Sequence, residues 1–194
     1  CQTRFNTLIS LTGTFFDIIE SAGGNSEFKN ESSAIFFERN ANIAGIYFAS
    51  SEDFFVNQSY FLLHEAEPSV FENYVDSCGN YIENAKNGIV KADNASPFFQ
   101  SPCIAIFTPV ASHTKTDVAV ILFSSEDLME NFATSSINAS FLVNDEGTVL
   151  VHSDLEAVMN AESFKNHFIV QEMFASANSN MQITYSDEGN VEYY

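Results

Sequence analysis

An α+β fold with antiparallel sheets is predicted, on three observations. Residues 2–22 repeat apolar side chains every three or four positions, the period of a helix. Short β-rich runs then come in neighbouring pairs joined by a few residues, as antiparallel strands are. Helices separate these pairs instead of alternating with single strands, which a parallel sheet would require.

The first stripe is Phe5, Leu8, Ile9, Phe15, Phe16 and Ile19, and Gly23-Gly24 stops it. A short helix is predicted over 31–38. Residues 43–49 (IAGIYFA) and 53–57 (DFFVN) then read as a hairpin across Ser50-Ser51-Glu52. A helix over 68–86 has Pro68 in the first turn and an unbroken stripe of Val70, Phe71, Tyr74, Val75, Cys78, Tyr81, Ile82 and Ala85. Asn87-Gly88 caps it.

Strands at 103–110 (CIAIFTPV) and 118–124 (VAVILFS) follow, joined by the polar loop 111–117. Ser125 caps a helix over 125–135 whose early acids suit the helix dipole. Residues 139–144 and 148–152 flank Asp145-Glu146-Gly147, a hairpin turn. A mainly helical stretch, 154–177, leads to a strand at 181–185, the turn Asp187-Glu188-Gly189-Asn190 and a last strand. The D-E-G-x-V string occurs twice, which is turn chemistry and not an array. A domain boundary is placed near residue 136, dividing 1–136 from 137–194.

Composition narrows the partners. The chain has 194 residues, and 26 acidic against 7 basic side chains leave a formal charge of −19. Nucleic acid and anionic lipid both select Lys/Arg-rich surfaces, so neither is expected as a partner. A hydrophobic fraction of 45% with 20 Phe supplies a core and excludes global disorder. No apolar run approaches the roughly 18–20 residues that span a bilayer, and no signal peptide is read. A first residue of Cys and not Met suggests a piece of a longer protein. Polarity carried by Asn, Ser and acids more than by Lys associates with secreted and periplasmic proteins.

Catalytic signatures are missing from the sequence. His64, His113, His152 and His167 form no H-E-x-x-H, and neither a G-x-S-x-G elbow nor a P-loop occurs. His152 with Asp154 reads first as a hydrogen-bonded turn histidine and second as a ligand pair. The acidic pairs Asp145-Glu146 and Asp187-Glu188 lack the alternating ligands of a calcium loop. Asn30, Asn57, Asn94 and Asn138 begin N-x-[ST] strings, expected by chance in so Asn/Ser-rich a chain. Cys1, Cys78 and Cys103 allow three pairings, of which only Cys78–Cys103 is clear of the terminus. Two buried free thiols is the preferred alternative. No cofactor and no metal are expected.

The string Phe141-Leu142-Val143-Asn144-Asp145-Glu146-Gly147-Thr148-Val149-Leu150-Val151-His152-Ser153-Asp154, with Asp187-Glu188-Gly189-Asn190-Val191-Glu192-Tyr193, resembles the Cache family of extracytoplasmic sensor domains. That family pairs a D-x-x-G turn and an H-P-D with a later D-G-x-x-Y hairpin. Ser153 stands where the family has proline. The first half is similar to the membrane-distal module of a double Cache domain. The resemblance implies a long N-terminal helix and two PAS-like modules, the second incomplete because strands normally follow the second hairpin. Both glycine-bent hairpins are expected to scaffold one half-barrel. Residues 95–99, 121–125 and 137–141 also resemble the version that precedes spirochaete nucleotide cyclases.

The resemblance further implies a small-molecule ligand in the distal module, between the sheet and the segment after the second strand. The matching stretch is 54–67, facing Tyr47 and the loop 98–101. The candidate ligand-binding residues are Tyr47, Phe55, Tyr60, His64, Phe99 and Ser101. Taken singly, Tyr47, Phe55 and Phe61 read more readily as core on the pleated face. The amino-acid-binding branch of the family uses an Arg clamp beside a Trp. This chain has no Trp and only Arg4 and Arg39, so a cationic, neutral or sugar-like ligand is expected instead.

The function so implied is a non-catalytic, extracytoplasmic (periplasmic) sensor of a bacterial transmembrane receptor. Such a receptor is a homodimer that meets the membrane only through flanking segments. Its output is a nucleotide cyclase by first choice, with a chemotaxis signalling domain or a histidine kinase as alternatives. A secreted adhesin or structural protein is the rival from another class.

Overall fold

The computed structural model describes residues 2–113, 115–133, 140–176, 184–187 and 190–193. Helix α1, Gln2–Ala22, buries Leu8, Thr12, Phe15, Phe16 and Ile19. Those positions lie three or four apart, so one face of the helix is apolar. Helix α2, Ser26–Arg39, begins five residues before the predicted start of 31. Asn25 supplies the reason, since its side chain accepts from the Phe28 N–H and caps the earlier turn.

Strands β1, Ile43–Phe48, and β2, Asp53–Val56, form the expected hairpin. Its turn is tied to the next sheet strand, because Asp117 Oδ1 accepts from both the Ser50 N–H (2.9 Å) and its hydroxyl (2.8 Å). Helix α3, Gln58–Leu63, follows at once.

The single helix predicted over 68–86 is corrected. The chain forms α4, Ser69–Ser77, and α5, Gly79–Lys86, broken at Cys78 with φ −98° and ψ 22°. The Ser77 hydroxyl donates to the Tyr74 carbonyl at 2.6 Å, taking the acceptor that the Cys78 N–H would use in a continuous helix. That N–H donates to Val75 O instead, and the chain bends to keep both halves on the sheet.

Strand β3, Lys91–Asn94, is paired antiparallel with β4, Cys103–Ala111, and α6, Ser96–Phe99, lies between them. Neither β3 nor α6 is evident from sequence, since KADN has one apolar residue and no alternation. Strand β5, Thr116–Ser124, pairs with both β4 and β1. Helix α7, Glu126–Ala133, comes next. The boundary placed near 136 lies outside the described residues.

Strands β6, Phe141–Val143, and β7, Val149–His152, make the predicted Gly147 hairpin. The helical stretch predicted over 154–177 is two pieces, α8, Leu155–Met159, and α9, Phe168–Ala175. Between them Ser163 bridges to Thr148 and the Phe164 N–H donates to Gly147 O, so the segment is held by the hairpin turn and cannot coil. Strands β8, Thr184–Asp187, and β9, Asn190–Tyr193, pair antiparallel. Residues 181–183 of the predicted strand and 188–189 of its turn lie outside the described residues.

The fold is therefore α+β, with a five-stranded antiparallel sheet in the order β2-β1-β5-β4-β3. Both its faces are covered. Ile43, Ile46, Phe48, Ile104, Ile106, Ile121 and Phe123 meet Leu8, Phe15, Phe16 and Ile19 of α1 on one side. Ala105, Phe107, Val120 and Leu122 meet Phe61 of α3, Phe71 and Tyr74 of α4 and Ala85 of α5 on the other. Two buried faces explain why β4 and β5 read as continuous apolar runs without alternation. At Gly45 the Phe71 side chain of α4 packs directly on the strand, since a Cβ there would lie 2.7 Å from its ring.

The β6–β7 hairpin joins the first of these cores through Leu150 and Val151. The expectation of one half-barrel built on both hairpins is not met among the described residues, where β6–β7 and β8–β9 are separate two-stranded sheets. The reason for the first is visible: its apolar side is spent on α1 and the large sheet.

Candidate functional site

The six residues expected to line a ligand site do not share one hollow. Tyr60 is buried, with its hydroxyl 3.1 Å from Cys103 Sγ and the His64 ring 4.2 Å away. Ser101 Oγ lies 3.4 Å from the same sulfur. Phe99 is buried beside them, 6.3 Å from the Phe61 ring. Tyr47 is half-buried towards the hairpin, its ring 4.4 Å from Phe54. Phe55 points through the opposite face of the sheet, edge-on to Phe15 at 5.2 Å. Tyr60 and Ser101 thus meet at Cys103, with His64 against the Tyr60 ring, while Tyr47 and Phe55 stand elsewhere. Phe61, Phe99 and Cys103 are each under 4% exposed, so packing fills the space between sheet and loop 98–101.

Cys78 and Cys103 are free, buried thiols. Burial pushes the Cys103 thiol up, and hydrogen bonds with Ser101 and Tyr60 offset only part of that. A thiol so held is inert as a nucleophile at neutral pH.

Open space lies one element away. A groove of about 860 Å³ runs between α2 and the outer side of β2 with the start of α3. Ser26, Lys29, Asn30, Ser33, Ala34 and Phe37 form its helical wall. Their spacing of three and four is the trace of a helix face, but a polar one, which a search for apolar stripes passes over. Phe54, Phe55, Val56 and Asn57–Tyr60 form the other wall, so Phe55 and Tyr60 are the expected residues that reach it. Lys29 Nζ meets Asp53 Oδ2 at 2.8 Å across one end, and the pair is partly buried.

Asn57 holds the groove's corner. Its side chain accepts from the Tyr60 N–H, starting α3, and donates to Ile43 O at 3.1 Å and Ala41 O at 3.3 Å. Being 6% exposed and fully engaged, it has no spare group for a glycan.

A second network joins the sheet to the β6–β7 hairpin. The Tyr74 hydroxyl donates to Asp93 Oδ2 at 2.7 Å, and the Tyr81 hydroxyl lies 3.5 Å from Asp93 Oδ1 and 3.3 Å from Glu146 Oε2. Lys91 of β3 pairs with Asp145, so one turn acid is held by the sheet and the other by Tyr81 of α5. A small apolar cavity of about 290 Å³ lies beside this pair, between Phe5 and Ile9 of α1 and Leu142 of β6. His152 Nδ1 accepts from the Asp154 N–H at 2.8 Å, which makes it the turn histidine expected. Among the described residues no three His, Cys, Asp or Glu side chains gather as a metal site needs.

Burial raises the Asp93 carboxyl above its usual value, and the Glu146 charge adds to this while the Tyr74 hydroxyl opposes it. A raised folded value means that the native state holds its proton more tightly than the unfolded chain. Stability contributed here is full below the unfolded value of about 4 and declines as pH rises through the folded value. Asp93→Asn keeps an oxygen for Tyr74 and removes the charge. The difference in melting temperature between variant and parent, followed from acid to neutral pH, should move steadily in the variant's favour. A flat difference would count against a strained Asp93.

No protein-family model matches the chain, and no curated protein is found similar to it. No described helix is long and apolar enough to cross a membrane.

Proposed function

We propose that this chain is an extracytoplasmic, ligand-binding sensor module of a bacterial transmembrane receptor, of the double Cache type. The observation that carries the reading is the groove of about 860 Å³ against the segment that follows the second strand. Its size falls in the range of ligand pockets, and its mixture of rings, hydroxyls and amides suits a polar organic solute.

A route out of the groove supports the same reading. The wall helix α2 carries Phe36 and Phe37, whose rings lie 4.4 Å and 6.4 Å from Phe15 of α1. A ligand that draws α2 towards β2 shifts this aromatic stack and with it the long helix. That biases the receptor homodimer between two states, which requires the ligand to bind one of them more tightly. The output is a nucleotide cyclase in the first instance, or a chemotaxis domain or kinase.

The test is a thermal-shift screen of amino acids, polyamines, carboxylates, sugars and purines. A ligand at a hundredfold its Kd adds about 2.7 kcal/mol, which for a chain of this size raises the melting temperature by roughly 5–10 °C. The shift should vanish in Ala34→Trp, which fills the groove from α2. A flat response across all five classes would tell against a sensor and favour an adhesin or structural role.

A further inference from the structure

Strand β2 ends the large sheet, and its register decides which of its backbone groups are free. Val56 is opposite Gly45, and the Asn57 N–H donates to Ala44 O at 2.9 Å. Hydrogen-bonded and non-bonded pairs alternate in an antiparallel ladder, so Phe55 and Asp53 bond to Ile46 and Phe48. Phe54 and Val56 must then turn their N–H and C=O groups away from β1. Among the described residues no strand pairs with that side. Both residues line the groove, so its floor carries two donors and two acceptors at the spacing of a β-strand.

A ligand satisfying that row must itself present main-chain groups at every second residue, which an extended peptide does. Helix α2 forms the facing wall and the Lys29–Asp53 pair closes one end, so the edge is screened from the flat approach of another sheet. Charge disfavours a second copy of the chain as well, since each carries −19. Lys29 is engaged with Asp53, whereas Glu38 on the rim has no cation within ion-pair distance among the described residues. Resting on the sensor reading, we infer that the groove's ligand is a short, extended, cationic peptide added as a sixth strand to the outer edge of β2.

The probe is an acetylated, amidated hexapeptide of alternating lysine and valine, titrated calorimetrically into the whole chain. Two further peptides carry N-methyl groups on the lysines or on the valines. Only alternate residues of an added strand bond to β2, so one methylated peptide should bind as the parent does and the other about tenfold or more weakly. Val56→Pro removes an outward N–H without touching the β1 ladder and should weaken the parent peptide similarly. If that variant fails to fold, the methylation asymmetry decides alone, because it leaves the protein unchanged.

Equal binding of all three peptides would mean ionic attraction only and would overturn the inference. So would sedimentation showing a dimer that Val56→Pro dissociates, since the occupant would then be a second copy. A peptide that does not bind, while a small solute still stabilises the parent chain and not Ala34→Trp, would remove the peptide and leave the sensor standing. Neither peptide nor solute binding would remove both.

Discussion

Gly147→Ala should cost about 2–4 kcal/mol of unfolding free energy, from the sum of a left-handed backbone and overpacking. Gly147 has φ +86°, and a Cβ built on it would lie 2.8 Å from Lys165 Cα and 2.9 Å from Lys165 N. Those atoms are backbone and cannot rotate aside. They are also fixed, because the neighbouring Phe164 N–H donates to Gly147 O at 2.8 Å. Gly88 serves as the control: its φ is +83°, yet nothing lies within 4 Å of its would-be Cβ. Gly88→Ala should therefore cost only the conformational part, about 1–2 kcal/mol. Chemical denaturation of the two variants side by side would check this. Equal losses would mean that the Lys165 contact carries no weight.

The second large effect is expected at Asn94, which is 4% exposed. Its amide donates to Val149 O at 2.6 Å and Val158 O at 2.7 Å, and its oxygen accepts from the Ser96 N–H at 2.9 Å. One side chain thus ties the β3 edge to both β7 and α8. Asn94→Ala leaves those carbonyls without this donor and should cost about 2–4 kcal/mol. Asn94→Asp aims a carboxylate at two carbonyl oxygens in a dry site and should cost about 3–5 kcal/mol at neutral pH, lowering the melting temperature by roughly 10 °C or more.

The aspartate variant also carries a pH signature. Its new carboxyl is held above the usual value when folded, so the charge penalty grows as pH rises from about 4 and disappears in acid. Protonation restores one of the two donated bonds. Melting curves should place Asn94→Asp below Asn94→Ala at pH 7 and bring them together or reverse them near pH 4. A constant gap across that range would mean that Asn94 is not the buried double donor described.

Sequence and structure part company at such residues. Asn94 and Asn57 stand in N-x-[ST] strings with nothing local to mark them as buried latches. Each works by reaching carbonyls from 14 to 64 positions away, so no window along the chain contains their partners. Gly147 reads as a hairpin-turn glycine and Gly88 as a helix cap, two positions that sequence alone treats as equally open. Whether a Cβ would strike something is settled by a segment that folds back from residue 165.

What the chain determined by itself was local and periodic. The stripe of α1, the β1–β2 hairpin, the long apolar strands β4 and β5 and the Gly147 turn all follow from spacings within a few residues, and they define the α+β class. Tertiary structure decided the rest. It split 68–86 at Cys78, recruited the polar run 91–94 as a strand, and gave β6–β7 to the large sheet's core. It also moved the open space from beside Tyr47 and Ser101, where rings pack it shut, to a polar face of α2. The physical reason is the same throughout: periodicity reports which side of an element is dry, and only the assembled fold shows what lies against it.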